Sequence, residues 1–351
     1  MSALTMLRRG RLAGAVVPAL GIAIAGLVVA SSGAQAAPRS PHHPALHAGP
    51  KVALGTTTNV FANVFNEGPD GSLYYSRGSI VYLVTGNSKP QAEVHASSRV
   101  MAVAANQTDL FVQTGLTVTE YRLLPKVSKV KHWTLSSPVT PITSAGLLAV
   151  GGTVWSWTDW GTDESGFEFA TVSRIATSGS AARVISKAAY PADMSANASG
   201  LYFESNSTKA SANFLNHVTP SGVVKARKLT AGVGAPLALS GGRVDLLVSS
   251  NHLMINTYKA STLALQSSKK VSDNDTNIAG TSSGLVVMTL VCHGKNCSTP
   301  TVSVSNLNAS TGVASGAIKL PGAVILLPGP SAGVIDASHG IKGSMSLQRL
   351  S

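Results

Sequence analysis

Two cysteines, 5% aromatic residues and 12% charged residues leave this 351-residue chain short of most devices that announce a function. Two thiols cannot staple a chain of this length into a disulfide scaffold, and they do not make a cysteine-based zinc site. Few stretches carry apolar residues at helical spacing, which argues against a helical fold. No glycine-rich phosphate loop leads from a strand into a helix, and His-Glu-x-x-His does not occur. The sequence therefore names no catalytic residue, no cofactor and no metal.

What is present is apolar and turn-rich. Hydrophobic residues make up 44% of the chain, enough to bury a core, and Val, Thr, Ser, Ala and Gly favour short strands and tight turns. Arg8, Arg9 and Arg11 precede an apolar run from Ala13 to Ala30 and the small-residue site Ala34-Gln35-Ala36. This pattern predicts an export signal over residues 1–36 and a secreted, extracellular protein. The run is long for a signal core, so the alternative is an uncleaved N-terminal anchor facing outward. Residues 37–50, with His42, His43 and His47 but no accompanying Cys, Asp or Glu, read as a disordered Pro/His linker. The domain proper is expected over 51–351.

A strand start recurs at Leu73, Leu110, Val154, Leu201, Val244, Leu285 and Val334, at intervals of 37, 44, 47, 43, 41 and 49 residues. A period in the low forties without helices is the spacing of a four-stranded propeller blade. The fold class expected is all-β, a seven-bladed β-propeller with four-stranded blades. Turn residues punctuate the third-to-outer junctions at Thr85-Gly86-Asn87-Ser88, Thr177-Ser178-Gly179, Thr219-Pro220-Ser221-Gly222 and Ser310-Thr311-Gly312. The last unit ends after three strands, and Lys51-Val52-Ala53-Leu54 stands ahead of the first. That N-terminal strand is expected to complete the last blade and close the ring.

Gly68-Pro69-Asp70-Gly71-Ser72-Leu73-Tyr74-Tyr75 and Ser199-Gly200-Leu201-Tyr202-Phe203 with His217-Val218-Thr219-Pro220-Ser221-Gly222 resemble the repeats of bacterial extracellular propellers in the NHL and streptogramin-lyase-like group. The resemblance implies blade architecture. The group includes lyases, lactonases and binding proteins, and no lyase residue can be placed on this chain.

Candidate chemistry lies in the connections. Trp155-Ser156-Trp157-Thr158-Asp159-Trp160 runs into Asp163 and Glu164, so three of four tryptophans and three carboxylates fall together. Trp157, Asp159, Trp160, Asp163 and Glu164 are candidate ligand-binding residues, because aromatic faces stack on sugar rings and carboxylates accept bonds from hydroxyls. The other reading has Trp155 and Trp157 as strand residues packed between blades. Cys292 and Cys297 flank four residues, His293 to Asn296, and are expected to form a disulfide worth about 2 kcal/mol. Asp273-Asn274-Asp275-Thr276-Asn277 resembles the start of a calcium loop, but Ile278 and Gly284 stand where glycine and glutamate are needed, which leaves a polar turn.

The formal charge of +12 becomes about +9 without the three signal arginines, and most of the excess follows residue 205. Lys126, Lys129, Lys131 and His132, then Lys225, Arg227 and Lys228, then Lys269 and Lys270, fall on expected outer strands. They either guard exposed edges or meet an anionic polymer. Nucleic acid is not expected, for want of a motif and of interleaved aromatics. The functional expectation is a monomeric secreted propeller binding an extracellular glycan or anionic cell-wall polymer through loops on one face. The alternative is a propeller hydrolase or lyase, lactonase-like or streptogramin-lyase-like, assembled at the channel mouth from Asp159, Glu204, His293 and Asp336.

Overall fold

The computed structural model describes residues 46–57, 59–60, 63–136, 142, 145–162, 168–207, 212–229, 234–249, 251–282, 284–293, 299–320, 323–329, 332–339 and 342–351. The signal segment and the linker up to residue 45 lie outside these. All its elements are strands. β1 (Ala48–Thr57) comes first. Blade 1 follows as β2 (Phe65–Glu67), β3 (Leu73–Arg77), β4 (Ile80–Val84) and β5 (Gln91–His95), and blade 2 as β6 (Ala102–Ala105), β7 (Asp109–Thr114), β8 (Thr117–Arg122) and β9 (Ser128–Thr134). Blade 3 holds β10 (Ala145–Val150), β11 (Thr153–Thr162), β12 (Glu168–Ala176) and the first part of β13 (Ala182–Asn197). Blade 4 takes the rest of β13 with β14 (Gly200–Ser207), β15 (Ala212–Val218) and β16 (Val224–Lys228). Blade 5 is β17 (Gly234–Ser240), β18 (Arg243–Ser249), β19 (Leu253–Lys259) and β20 (Leu265–Lys270), and blade 6 is β21 (Asp275–Thr281), β22 (Gly284–His293), β23 (Thr299–Asn308) and β24 (Val313–Lys319). Blade 7 is β25 (Ala323–Leu327), β26 (Gly333–His339) and β27 (Lys342–Leu350), with β1 as its outer strand.

Seven antiparallel four-stranded blades therefore form the expected propeller, and β1 pairs with β27 from Ala48↔Leu350 to Thr57↔Gly343. The strand starts ahead of the expected Lys51. Leu46 is buried against blade 6 and blade 7 residues, and His47 and Ser351 exchange backbone hydrogen bonds. β13 departs from the expected separate strands: it serves as outer strand of blade 3 and inner strand of blade 4, joining both in one seven-stranded sheet. Its register breaks between Ala189 and Met194, where Pro191 cannot donate to a ladder.

Among the described residues the core is divided into seven clusters, each shared by two successive blades. Leu201 and Phe203 pack with Trp155, Trp157 and Val172 of blade 3, whereas Tyr202 between them packs with Leu239, Val244 and Tyr258 of blade 5. Successive side chains of a strand leave on opposite faces, and here both faces are covered, so the strand reads as a continuous apolar run rather than an alternation. The cluster that closes the ring joins Val52, Leu54, Ile335 and Leu347 to Phe65, Leu73 and Tyr75. Tyr75 also donates its hydroxyl to the Leu54 carbonyl at 2.9 Å.

The third-to-outer turns act as sockets for the preceding blade. Trp133 of β9 donates its indole N–H to Gly179 O at 3.0 Å, Lys131 reaches Thr177 O, and Lys225 of β16 reaches Ser261 O. At the seam, Arg349 of β27 donates to Gly86 O and, at 2.7 Å, to Gly71 O.

Burial of Leu54 makes closure testable. Leu54→Ala removes apolar volume at the seam and is expected to cost about 2–5 kcal/mol in denaturant unfolding. A change below 0.5 kcal/mol, roughly the range of an exposed site, would contradict a packed closure strand.

Candidate functional site

Up-and-down strand order puts the second-to-third connections of every blade at one end of the ring and the first-to-second and third-to-outer turns at the other. At the first end the blades are unequal. β11 runs on to Thr162, although its last inner-strand partner is Thr158↔Ala145, and β22 runs to His293, although its register with β21 stops at Thr289↔Asp275. In blade 7 the ladder between β26 and β27 continues to His339↔Lys342 after β25 has ended its pairing at Asp336. In blades 1 and 2 the same connection is tight, with Arg77↔Ile80 and Thr114↔Thr117 the terminal pairs. Among the described residues, hairpins thus project past the inner strands in blades 3, 6 and 7.

Asp159 and Trp160 lie on the projecting part of β11, where Asp159 pairs with Ala170; their backbone alone is described. Asp163 and Glu164 lie outside the described residues, as does Cys297, and of Cys292 the backbone alone is described, paired to Pro300. No disulfide is seen among the described residues.

Trp157 has a different place from the one its composition suggested. It is 1% exposed and sits in the cluster between blades 3 and 4, so its ring cannot stack on a ligand from solvent. The ring lies across Gly146, its partner on β10: a Cβ there would come 2.1 Å from the indole nitrogen. Trp155 and Trp157, two apart on one strand, share this buried face, and burial of so large an apolar surface outweighs exposure of an amphipathic ring.

Of the carboxylates considered for hydrolysis, the side chains of Glu204 and Asp336 are described, and each has a place in its own blade. Glu204 is fully buried on β14, close enough to Tyr258 of blade 5 to raise that phenol together with burial, which is the larger cause. Asp336 forms an ion pair with Lys51 of the closure strand. Asp273 accepts the Leu253 N–H at 3.0 Å, and Asp275 accepts Thr289 Oγ1 at 2.7 Å, so the polar turn before blade 6 is tied into its own blade and the one before. Among the described residues no group of three or more His, Cys, Asp or Glu is placed to hold a metal ion.

Glu67 is a chemically distinctive group that composition and spacing did not single out. It ends β2 at the opposite end of the ring and is 4% exposed, and its Oε1 has no hydrogen-bond partner. The backbone of Gly329 presses against it, since a Cβ on Gly329 would lie 2.4 Å from the carboxyl carbon. Gly329 in turn donates to Gly280 O of blade 6, and Asn66 accepts the Ala105 N–H of blade 2, so four inner-strand ends meet here. Burial pushes the Glu67 carboxyl up to about 8, Arg349 pulls it down and Asp70 pushes it up. The signal available in sequence was a carboxylate inside an inner-strand apolar run, just before Gly68-Pro69-Asp70-Gly71.

Two further patterns at this end were missed. Gly280-Thr281-Ser282-Ser283-Gly284 and Gly329-Pro330-Ser331-Ala332-Gly333 both match Gly-x-Ser-x-Gly. They connect β21 to β22 and β25 to β26, whereas a nucleophile elbow requires a turn from strand into helix. Ser283, Pro330 and Ser331 lie outside the described residues.

No family model matches the chain, and no curated protein matches it. Solved structures similar to it include the β-propeller domain of Myceliophteria thermophila Cps50 (Swd1), at 12% identity, covering 86% of this chain and 99% of that one, with a TM-score of 0.56. The WD40 repeats of RRP9 are similar at 8% identity, covering 88% and 98%, with a TM-score of 0.55. A chain of a mitotic checkpoint complex is similar at 12% identity, covering 90% and 96%, with a TM-score of 0.56. At these identities the likeness shows the propeller fold and nothing finer, and the NHL and streptogramin-lyase-like resemblance is not confirmed by it.

Glu67 makes stability depend on pH with a defined sign. Its folded pKa lies above the ordinary 4.5, so between about pH 4.5 and 8 the folded chain keeps a proton that the unfolded chain has lost, and stability falls as pH rises through that window. Glu67→Gln is expected to remove that component, flattening the fall in unfolding free energy between pH 5 and 9 by up to roughly 5 kcal/mol. Parallel profiles for the two proteins in urea unfolding would refute the assignment.

Proposed function

We propose that the chain is a secreted β-propeller binding protein that takes an extracellular glycan or anionic cell-wall polymer at the end of the ring where blades 3, 6 and 7 raise their hairpins. The projection of those hairpins past the inner strands is the observation that carries this reading. Connections held by a rigid scaffold can differ freely in length and side chain, and concave sites form where several of them converge. Trp160, Asp159, Asp163 and Glu164 are the ligand residues in this reading, with Trp157 supporting the hairpin from below. Stacking on Trp160 and hydrogen bonds from ligand hydroxyls to the carboxylates supply recognition. Hydrolase or lyase chemistry has less support, because Glu204 is fully buried and Asp336 is paired with Lys51. Export, and a monomeric state, belong to the same proposal.

The test separates the two tryptophans. On a glycan array and by titration of the glycan bound best, Trp160→Ala is expected to weaken binding about tenfold, or 1.4 kcal/mol, with the melting temperature unchanged. Trp157→Ala is expected to lower stability by about 3–5 kcal/mol instead. Unaltered binding by Trp160→Ala would sink the site.

A further inference from the structure

The folded surface is more positive than the composition indicates. Of the fifteen carboxylates in the chain, Glu67, Asp109, Glu120, Glu204, Asp245 and Asp275 are buried, while no Lys or Arg among the described residues is. Burial holds Glu67, Glu120, Asp245 and Asp275 above the ordinary carboxylate range, which favours their neutral forms. Basic side chains are thereby left to dominate the solvent-facing field.

That charge has a place. All five residues of β16 are exposed, including Lys225, Arg227 and Lys228; on β20 Lys269 and Lys270 are exposed, and on β24 so is Lys319. No acidic residue occurs on these three outer strands. They follow one another around the circumference: Lys225 reaches Ser261 in the turn before β20, and the β20 backbone at Lys270 abuts Gly312 in the turn before β24. Among the described residues, the acidic Asp273 lies beside this path, three residues past Lys270, and its carboxylate accepts the Leu253 N–H. Val224, Leu265 and Val313 are exposed on the same strands. Each of the three is the edge of its sheet, with outward backbone donors and acceptors.

We propose that β16, β20 and β24 form a continuous belt on which a linear anionic polysaccharide lies along the circumference of blades 4 to 6. Lysine and arginine pair with its carboxylates, the aliphatic side chains meet the apolar faces of its sugar rings, and the edge backbone meets its hydroxyls. A polysaccharide fits better than single-stranded nucleic acid because the large exposed side chains here are aliphatic, with no aromatic platform for bases. The belt stands on its own observations and does not depend on the hairpin end.

The probe is polygalacturonate, titrated into the full chain at low and at moderate salt. Binding is expected at low salt, weakening as salt rises, with no binding to neutral dextran. The triple substitution Lys228→Glu, Lys269→Glu, Lys270→Glu is expected to weaken it at least tenfold. An equal charge change at the exposed Lys89, Lys126 and Lys187 is expected to weaken it less than twofold. Unchanged circular dichroism and melting temperature qualify both proteins, and Lys228→Gln, Lys269→Gln, Lys270→Gln replaces the first if it does not fold. Equal losses in the two triple variants would reduce the effect to net charge and overturn the belt, as would absence of binding at low salt. Tighter binding of single-stranded DNA than of polygalacturonate would overturn the polysaccharide assignment.

Discussion

Every blade of this protein is apolar on both faces, and no blade can bury both without a neighbour on each side. Seven such sheets satisfy one another only as a closed ring, and the ring closes because the first strand of the domain pairs with the last. Each cluster of buried side chains among the described residues spans two blades, so the core is shared between neighbours. The pairing of β1 with β27 supplies the backbone partners that an open seam would leave bare, and the packing of Leu54 and Val52 against blade 1 supplies the apolar burial.

Burying a polar group between blades is least costly on the condition that it finds a partner. Asp245 accepts Thr257 Oγ1 at 2.6 Å and Ser240 Oγ at 2.9 Å, and His217 lies flat on Tyr202 with its Nε2 against Ser199 O. Burial holds that imidazole below its ordinary pKa more strongly than the Ser199 contact raises it. Glu67 meets the condition less completely, and it does so at the point where four inner strands end. The two ends of the ring thus differ in kind: one is tightened by turns and a buried acid, the other carries hairpins of unequal length.

Much of the architecture was legible along the chain. The recurring strand starts, the glycine-marked turns and the missing fourth strand of the last unit led to blade number, blade boundaries and closure, because period, turn chemistry and edge pairing are local or nearly local properties. The continuity of β13 was not legible, since nothing local shows that one strand will serve two blades when the usual loop is omitted. The candidate site was legible only in part. The cluster of tryptophans and carboxylates marked the blade 3 hairpin, yet composition could not show which tryptophan turns inward. Trp157 is inward because Gly146 on the neighbouring strand leaves room for its ring.

The sequence by itself determined that the chain builds short strands in repeating groups, where they turn, and how the ends must meet, since these follow from side-chain pattern and backbone conformation. Only the tertiary structure decided which charges survive at the surface. Whether a carboxylate is buried and neutral or exposed and ionised depends on the blade packed against it, and that neighbour can be some forty residues away in the chain or, at the seam, at its other end.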